Sequence, residues 1–172
     1  MPAARPTFFG KYRGTVANDI DLQGIGRVQV SVPDVLGDGS MAWAMPCSPY
    51  AGDGIGFFAI PPVGANVWVE FERGDPEYPI WSGGFWDLGK TPSLPGPLGV
   101  FKTVLKTDRF LLEADNNPAL PTLTLSMDIG GVTGTVSLVA DMTGLTITAA
   151  GNTITMAVDG ATINNPALKI MK

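Results

Sequence analysis

Apolar and polar positions alternate along this chain in short runs with a period of two, and no stretch keeps a helical period of 3.6. The pattern predicts a first strand over Thr7–Asn18 and a loop over Asp19–Gly26. It predicts a second strand over Gly26–Val32, where Val28, Val30 and Val32 face one way and Arg27, Gln29 and Ser31 the other. Pro33–Ser40 reads as a loop. Met41–Pro46 reads as a third strand and Phe57–Ile60 as a fourth, with Pro49–Gly56 a loop between them. The clearest run is Asn66–Glu72, with Val67, Val69 and Phe71 opposing Trp68 and Glu70, and Pro79–Phe85 follows as a sixth strand. Closely spaced short strands with Gly-rich corners predict a small barrel of the OB type.

Beyond it, Thr91-Pro92-Ser93-Leu94-Pro95-Gly96-Pro97 cannot pair continuously and reads as a linker. Alternation resumes at Phe101–Glu113. From Thr122 to Ile163 apolar residues alternate with Thr, Ser and Gly, and turns recur at Gly134, Gly144, Gly151-Asn152 and Asp159-Gly160. The expected organisation is a barrel over 1–89, a Pro-rich linker and connecting strand over 90–121, and a β-rich needle with its tip over 122–172.

The last part has a burial problem. All fifteen aromatic residues (four Trp, three Tyr and eight Phe) lie between Phe8 and Phe110. Short strands without aromatic bulk cannot fill the ~10 Å between the sheets of a sandwich. A narrower interior arises when three identical chains surround an axis, each offering one apolar face. A monomeric β-solenoid, or extra strands on the barrel, remains the alternative from periodicity alone.

Composition narrows the chemistry. Of 172 residues, 45% are hydrophobic and 16% charged, with a net charge of −5. So little charge suggests a surface partly covered by other chains. The acidic balance argues against a nucleic-acid binder, which needs clustered Lys and Arg. The chain has no histidine, which removes the commonest general base and metal ligand. Its one cysteine, Cys47, sits in an apolar run and reads as a packed residue. The N-terminus lacks the apolar stretch of a signal peptide, and no run is long enough to span a membrane, so synthesis in the cytoplasm is expected.

Few residues invite a catalytic reading. Gly74-Asp75-Pro76-Glu77 could join Asp53, Glu70 and Glu72 in a carboxylate site, yet Gly-Asp-Pro is foremost a turn sequence. Arg27 and Arg73 could pair with these acids or stand solvated. Trp43, Trp68, Trp81 and Trp86 could form a stacking platform, but without a basic groove they read as core and contact residues. Gly24–Gly26 and Gly52–Gly56 lead into no helix with a Lys-Ser/Thr pair, so no nucleotide site is expected. No catalytic, cofactor or metal residue is assigned.

Residues Gly10 to Asp87 resemble the OB domain of tailed-phage spike proteins, the family of baseplate assembly protein V and the valine–glycine-repeat spikes of type VI secretion. The resemblance rests on Gly14-Thr15-Val16, Gly24-Ile25-Gly26-Arg27-Val28-Gln29-Val30, Trp43-Ala44, Pro49-Tyr50-Ala51-Gly52 and Gly56-Phe57. It continues through Ile60-Pro61-Pro62-Val63-Gly64, Val67-Trp68-Val69-Glu70-Phe71, Gly74-Asp75-Pro76, Pro79-Ile80 and Gly83, in the family's order. In the C-terminal part Val132-Thr133-Gly134 and Val158-Asp159-Gly160 fit the family's Val-x-Gly steps, and Met142-Thr143-Gly144 comes close.

The resemblance implies an all-β homotrimer, with an N-terminal OB-fold barrel followed by a triple-stranded β-helix needle. It also implies the place of a central spike in a contractile injection system or phage tail baseplate, driven into a target envelope when the sheath contracts. A separate hub protein above and a small conical cap protein below are the implied partners, with the target membrane met transiently and the particle assembled in or released from the cell. Tip docking is expected at Ile163, Leu168, Ile170 and Met171. The family's lysozyme domain and His-x-His tip metal have no counterpart in these residues. The competing readings are an OB module for oligosaccharide or single-stranded nucleic acid, and an envelope-degrading enzyme.

Overall fold

A computed structural model describes residues 6–92, 97–131, 134–164 and 168–171, without the side chains of 97–98 and 168–171. The chain divides into two compact units, Met1–Asp87 and Leu88–Lys172. Both are β structures.

The first unit is a closed barrel. Its strands are β1 (Tyr12–Asn18), β2 (Val28–Ser31), β3 (Met41–Pro46), then a two-stranded hairpin β4 (Ala51–Gly52) and β5 (Ile55–Gly56), then β6 (Asn66–Phe71) and β7 (Pro79–Gly84). The barrel order is β1-β2-β3-β7-β6, antiparallel except where β3 runs parallel to β7 through Met45–Ile80 and Pro46–Trp81. The alternation seen in the sequence fills the interior. Val16, Val28, Val30, Val32, Ala44, Val67, Val69 and Phe71 are buried and form one core cluster. Gly14 permits this closeness, because a Cβ there would lie 2.8 Å from Val69 Cγ2.

Two expected strands differ. The first begins at Tyr12 rather than Thr7, after Gly10 takes a positive φ of 96°. Phe8 instead donates its N–H to the Gly74 carbonyl at 2.8 Å and packs on Tyr12 and Phe71. Phe57–Ile60 is not a strand. The β4–β5 hairpin before it forms a separate two-stranded sheet, and Phe57 donates its N–H to the Tyr50 carbonyl at 3.1 Å. The only α-helical piece among the described residues is the turn α1 (Pro33–Leu36), whose Val35 and Leu36 pack against the core.

The second unit is one eight-stranded antiparallel meander: β8 (Lys102–Lys106), β9 (Phe110–Asp115), β10 (Thr122–Asp128), β11 (Thr135–Asp141), β12 (Gly144–Ala149), β13 (Asn152–Ala157), β14 (Gly160–Ile163) and β15 (Leu168–Met171). Each strand pairs only with its neighbours in sequence. Strands within 90–121, where a linker and one connecting strand are expected, thus supply the first two strands of this sheet. Successive strands run from seven residues at β10 and β11 to six at β12 and β13 and four at β14 and β15. At ~4.8 Å per strand the stack is on the order of 35 Å high.

Gly144 is the tightest position in the sheet. It holds φ at 147°, and a Cβ there would overlap the Met156 carbonyl oxygen. Gly130 has a positive φ of 69° but open space around it. Gly144→Ala is expected to cost more than about 2 kcal/mol and Gly130→Ala about 1. Thermal melting of the two variants checks the order.

Candidate interface surfaces

The meander has two chemically distinct faces. Pairing runs without a slip through Leu105–Leu112–Leu125–Leu138–Ile147–Ile154–Ile163, so these seven side chains form one rank across seven strands. A second rank on the same face runs Ala114–Leu123–Ala140–Leu145–Met156–Ala161, with Phe110, Met127 and Val136 beside the first. The opposite face carries Ser126–Ser137–Thr148–Thr153 and Thr124–Val139–Thr146–Thr155–Thr162. One sheet therefore presents an aliphatic face and a hydroxylic face.

The aliphatic face is bare. Leu112 is 39% exposed, Leu125 40%, Ile154 42% and Leu105 46%, values a packed core does not show. Among the described residues of this unit none is buried. An uncovered leucine of this kind leaves on the order of 80 Å² in water, about 2 kcal/mol at ~25 cal/mol per Å². Fixed charge on the hydroxylic face collects at its first strands. Lys102 Nζ donates to Glu113 Oε1 at 2.5 Å and lies 3.5 Å from Asp115 Oδ2. The Glu113 carboxylate beside it holds the Lys102 ammonium above its ordinary pKa.

The barrel carries the second surface. A groove of about 830 Å³ runs between the loop at Gly24–Gly26, the β4–β5 hairpin, Phe57–Ile60 and β7. No charged residue lines it. Its floor depends on Gly26, which has a φ of 85° and whose absent Cβ would lie 3.2 Å from Phe58. Trp81 Nε1 donates to the Gly26 carbonyl at 3.2 Å.

The loop beside the groove is held by one carboxylate. Asp21 accepts from the backbone N–H groups of Gln23, Ile25 and Arg27 at 3.0, 3.1 and 3.2 Å. It also accepts from Arg27 Nε at 3.1 Å and Nη2 at 2.8 Å. The guanidinium lies 5.2 Å from the centroid of Trp43. Chiefly through the Arg27 hydrogen bond, the Asp21 carboxyl is held well below the usual carboxylate range. Sequence reasoning missed this clasp, since Asp21 reads as an ordinary loop acid. The loop so fixed projects Leu22, 95% exposed.

The structure scatters the other candidates. Arg27 pairs with Asp21 and not with the acids around Gly74, while Arg73 lies only 4.0 Å from Glu72 at an exposed site. Glu70 pairs with Lys11 at 2.9 Å. Asp75 accepts the Glu77 N–H at 3.0 Å in a turn. Trp68 stacks with Phe85 beneath Arg13, Trp81 packs against the core and Trp86 is exposed, so the four tryptophans make no shared platform. Cys47 is exposed at the groove, not packed, because the chain leaves β3 at Pro46 and its N–H follows the Trp81 carbonyl. Among the described residues no group of three or more His, Cys, Asp or Glu could hold a metal ion. Of the expected tip residues, Ile163 lies in β14, 40% exposed, and its backbone partner is Leu168. The side chains of Leu168, Ile170 and Met171 lie outside the described residues, as do Val132 and Thr133.

Residues 12–86, the barrel, match the family model of the type VI secretion system/phage-baseplate injector OB domain. The chain is also similar to the actin cross-linking toxin VgrG1 of Vibrio cholerae, 35% identical over 115 residues, 62% of this chain and 10% of that protein. The type VI secretion system spike protein VgrG3 of Vibrio cholerae is 33% identical over 115 residues, 62% of this chain and 11% of that protein. The type VI secretion system spike protein VgrG4b of Pseudomonas aeruginosa is 39% identical over 74 residues, 41% of this chain and 9% of that protein. The chain thus spans about a tenth of the length of these relatives.

The depressed Asp21 pKa fixes the direction of a pH effect. An unfolded Asp titrates near ~3.9. The clasp therefore stabilises the barrel fully above that pH and is lost as pH falls through the lower folded value. Asp21→Asn is expected to lower the melting temperature at pH 7 and to flatten its fall between pH 5 and pH 2, roughly the window of such a carboxylate. Melting curves across that range check both.

Proposed function

Because its barrel belongs to the type VI secretion system/phage-baseplate injector OB-domain family, we propose that this chain is the structural central spike of a contractile injection system or phage tail baseplate. Three copies build one needle from their meanders and pierce the target envelope when the sheath contracts. The observation that carries this reading is the bare aliphatic face, with its unbroken rank from Leu105 to Ile163.

A sheet with one apolar face needs a second layer, and none of the described residues supplies one. Three identical faces meeting at an axis supply it to one another. The fit is chemical as well as geometric. Aliphatic side chains fill a narrow interior, and the Thr and Ser ranks then face outward. Eight exposed side chains of that face, Leu105, Leu112, Leu123, Leu125, Met127, Ile154, Met156 and Ile163, at about 2 kcal/mol each give a gain on the order of 15 kcal/mol per chain. That offsets an association cost of roughly 4–15 kcal/mol.

The spike works by transmitting force, so its reading needs no reacting group. What matters is slow unfolding under load, and strands shared among three chains separate only together. The narrowing from seven-residue to four-residue strands places the shortest levels at the C-terminal end, the expected tip. There Ile163, Leu168, Ile170 and Met171 of three chains would offer a docking face to a cap protein, with a hub protein engaging the barrels.

The full chain is expected to be a trimer by light scattering at micromolar concentration. Ile147→Asp, in the aliphatic rank, is expected to yield monomer or aggregate, whereas Thr146→Asp, one residue away on the hydroxylic face, is expected to remain trimeric. Equal behaviour of the two variants would remove the assignment of the inner face. Removal of residues 164–172 is expected to abolish binding of a purified cap protein while leaving the trimer mass minus the tails, read by co-purification and light scattering.

A further inference from the structure

The aliphatic face of the meander carries a finer pattern than its apolar character. The central rank, from Leu105 to Ile163, holds only Leu and Ile. On either side of it the size varies. On β9 Ala114 stands on one flank and Phe110 on the other. On β11 the two flanks hold Ala140 and Val136, and on β12 Leu145 and Ala149. In each case a small side chain on one flank accompanies a larger one on the other, and which flank is small changes between β11 and β12. On β10 both are long, Leu123 and Met127.

The ranks are also straight. From β8 to β15 every pairing meets residue for residue, so no offset accumulates between strands. Stagger and strand tilt are linked when sheets surround an axis. A sheet without stagger sets its strands square to the line of its ranks.

We infer that the three copies meet level by level: the Leu/Ile rank of each lies along the three-fold axis, and one flank of each strand packs on the opposite flank of the same strand in the next copy. The inference rests on the trimeric reading above and goes beyond it by naming which side chains touch. A three-fold contact is heterologous, so unlike flanks meet. Rotation about an axis parallel to straight ranks keeps every strand at its own height. Ala149 of one copy then receives Leu145 of the next, Ala114 receives Phe110, and Ala140 receives Val136. Close packing favours such meetings of small with large. The face thus carries its own complement, which is what selects a further copy of the chain as its cover. The β10 level, with Leu123 against Met127, becomes the widest, in keeping with β10 being one of the two seven-residue strands of the sheet.

Paired cysteines test these contacts in the full chain. Cys47 is its only cysteine and is exposed, so Cys47→Ser gives a background without other thiols. Val136→Cys, Ala140→Cys, Leu145→Cys and Ala149→Cys combine into two level pairs, 145 with 149 and 136 with 140. They also combine into two pairs offset by one strand, 145 with 136 and 140 with 149. Within one chain the members of a level pair are about 13 Å apart along their strand, and those of an offset pair are farther still. A disulfide spans no more than ~7 Å between Cα atoms, so every link formed joins two copies. Under mild oxidation the level pairs are expected to give covalent trimer on a non-reducing denaturing gel at least tenfold faster than the offset pairs. Thermal melting and light scattering verify that each variant folds and stays trimeric, and the two level pairs are independent, so either one decides the result if the other fails to fold. Offset pairs that link as fast as level pairs would overturn the inference, and so would a trimer in which no level pair links. A monomeric mass for the Cys47→Ser chain would instead overturn the trimeric reading itself.

Discussion

Everything in the C-terminal half depends on the aliphatic face of a single sheet that no layer of the described residues covers. A lone meander keeps its backbone paired but leaves Leu, Ile and Met in water, and hydrophobic burial is the main favourable term in folding. The register makes the difficulty regular rather than diffuse. Leu112, Leu125, Leu138, Ile147, Ile154 and Ile163 stand side by side because every turn returns the chain without a slip. The turns that set this register are local: Asp141 accepts from Thr143 and Gly144, and Gly144 must lack a Cβ for β13 to approach. Local turn chemistry thus fixes which face is apolar, and the proposed needle covers that face with other copies of the chain.

The barrel solves its own burial problem. Its small valine core closes without help, through β3 and β7 in parallel and Gly14 in close contact with Val69. What it leaves outside is specific: a loop clamped by Asp21 and Arg27, a charge-free groove, and an exit pinned by Arg13, Phe85 and Asn66. These hold loops and an exit still, as the proposed force-transmitting role would require.

Much of this was legible from the residues. The alternation of Val28, Val30 and Val32, and of Val67, Val69 and Phe71, marks core positions correctly because a closed barrel buries one side of every strand. The apolar–hydroxyl alternation after Thr122 likewise marks the two faces of the meander. The expected all-β architecture, barrel first, follows from those patterns. Phe57–Ile60 misleads because its apolar side chains wall an open groove, and exposure is not written in residue type. Cys47 misleads for the same reason. The Asp21 clasp is invisible because five donors converge only after Gly24 and Gly26 take positive φ. The first two strands of the sheet fall where alternation resumes after the proline-rich linker and read as one connecting strand, because the turn between them, Thr107-Asp108-Arg109, carries no Gly or Pro.

In the proposed needle the aliphatic face is covered by two further copies of the same chain. Native mass spectrometry of the purified full-length chain tests that claim most directly. With a chain mass of 18.0 kDa, the account requires a single dominant species at three chain masses, persisting on dilution to nanomolar concentration. A dominant species at one chain mass, folded and soluble, would contradict it.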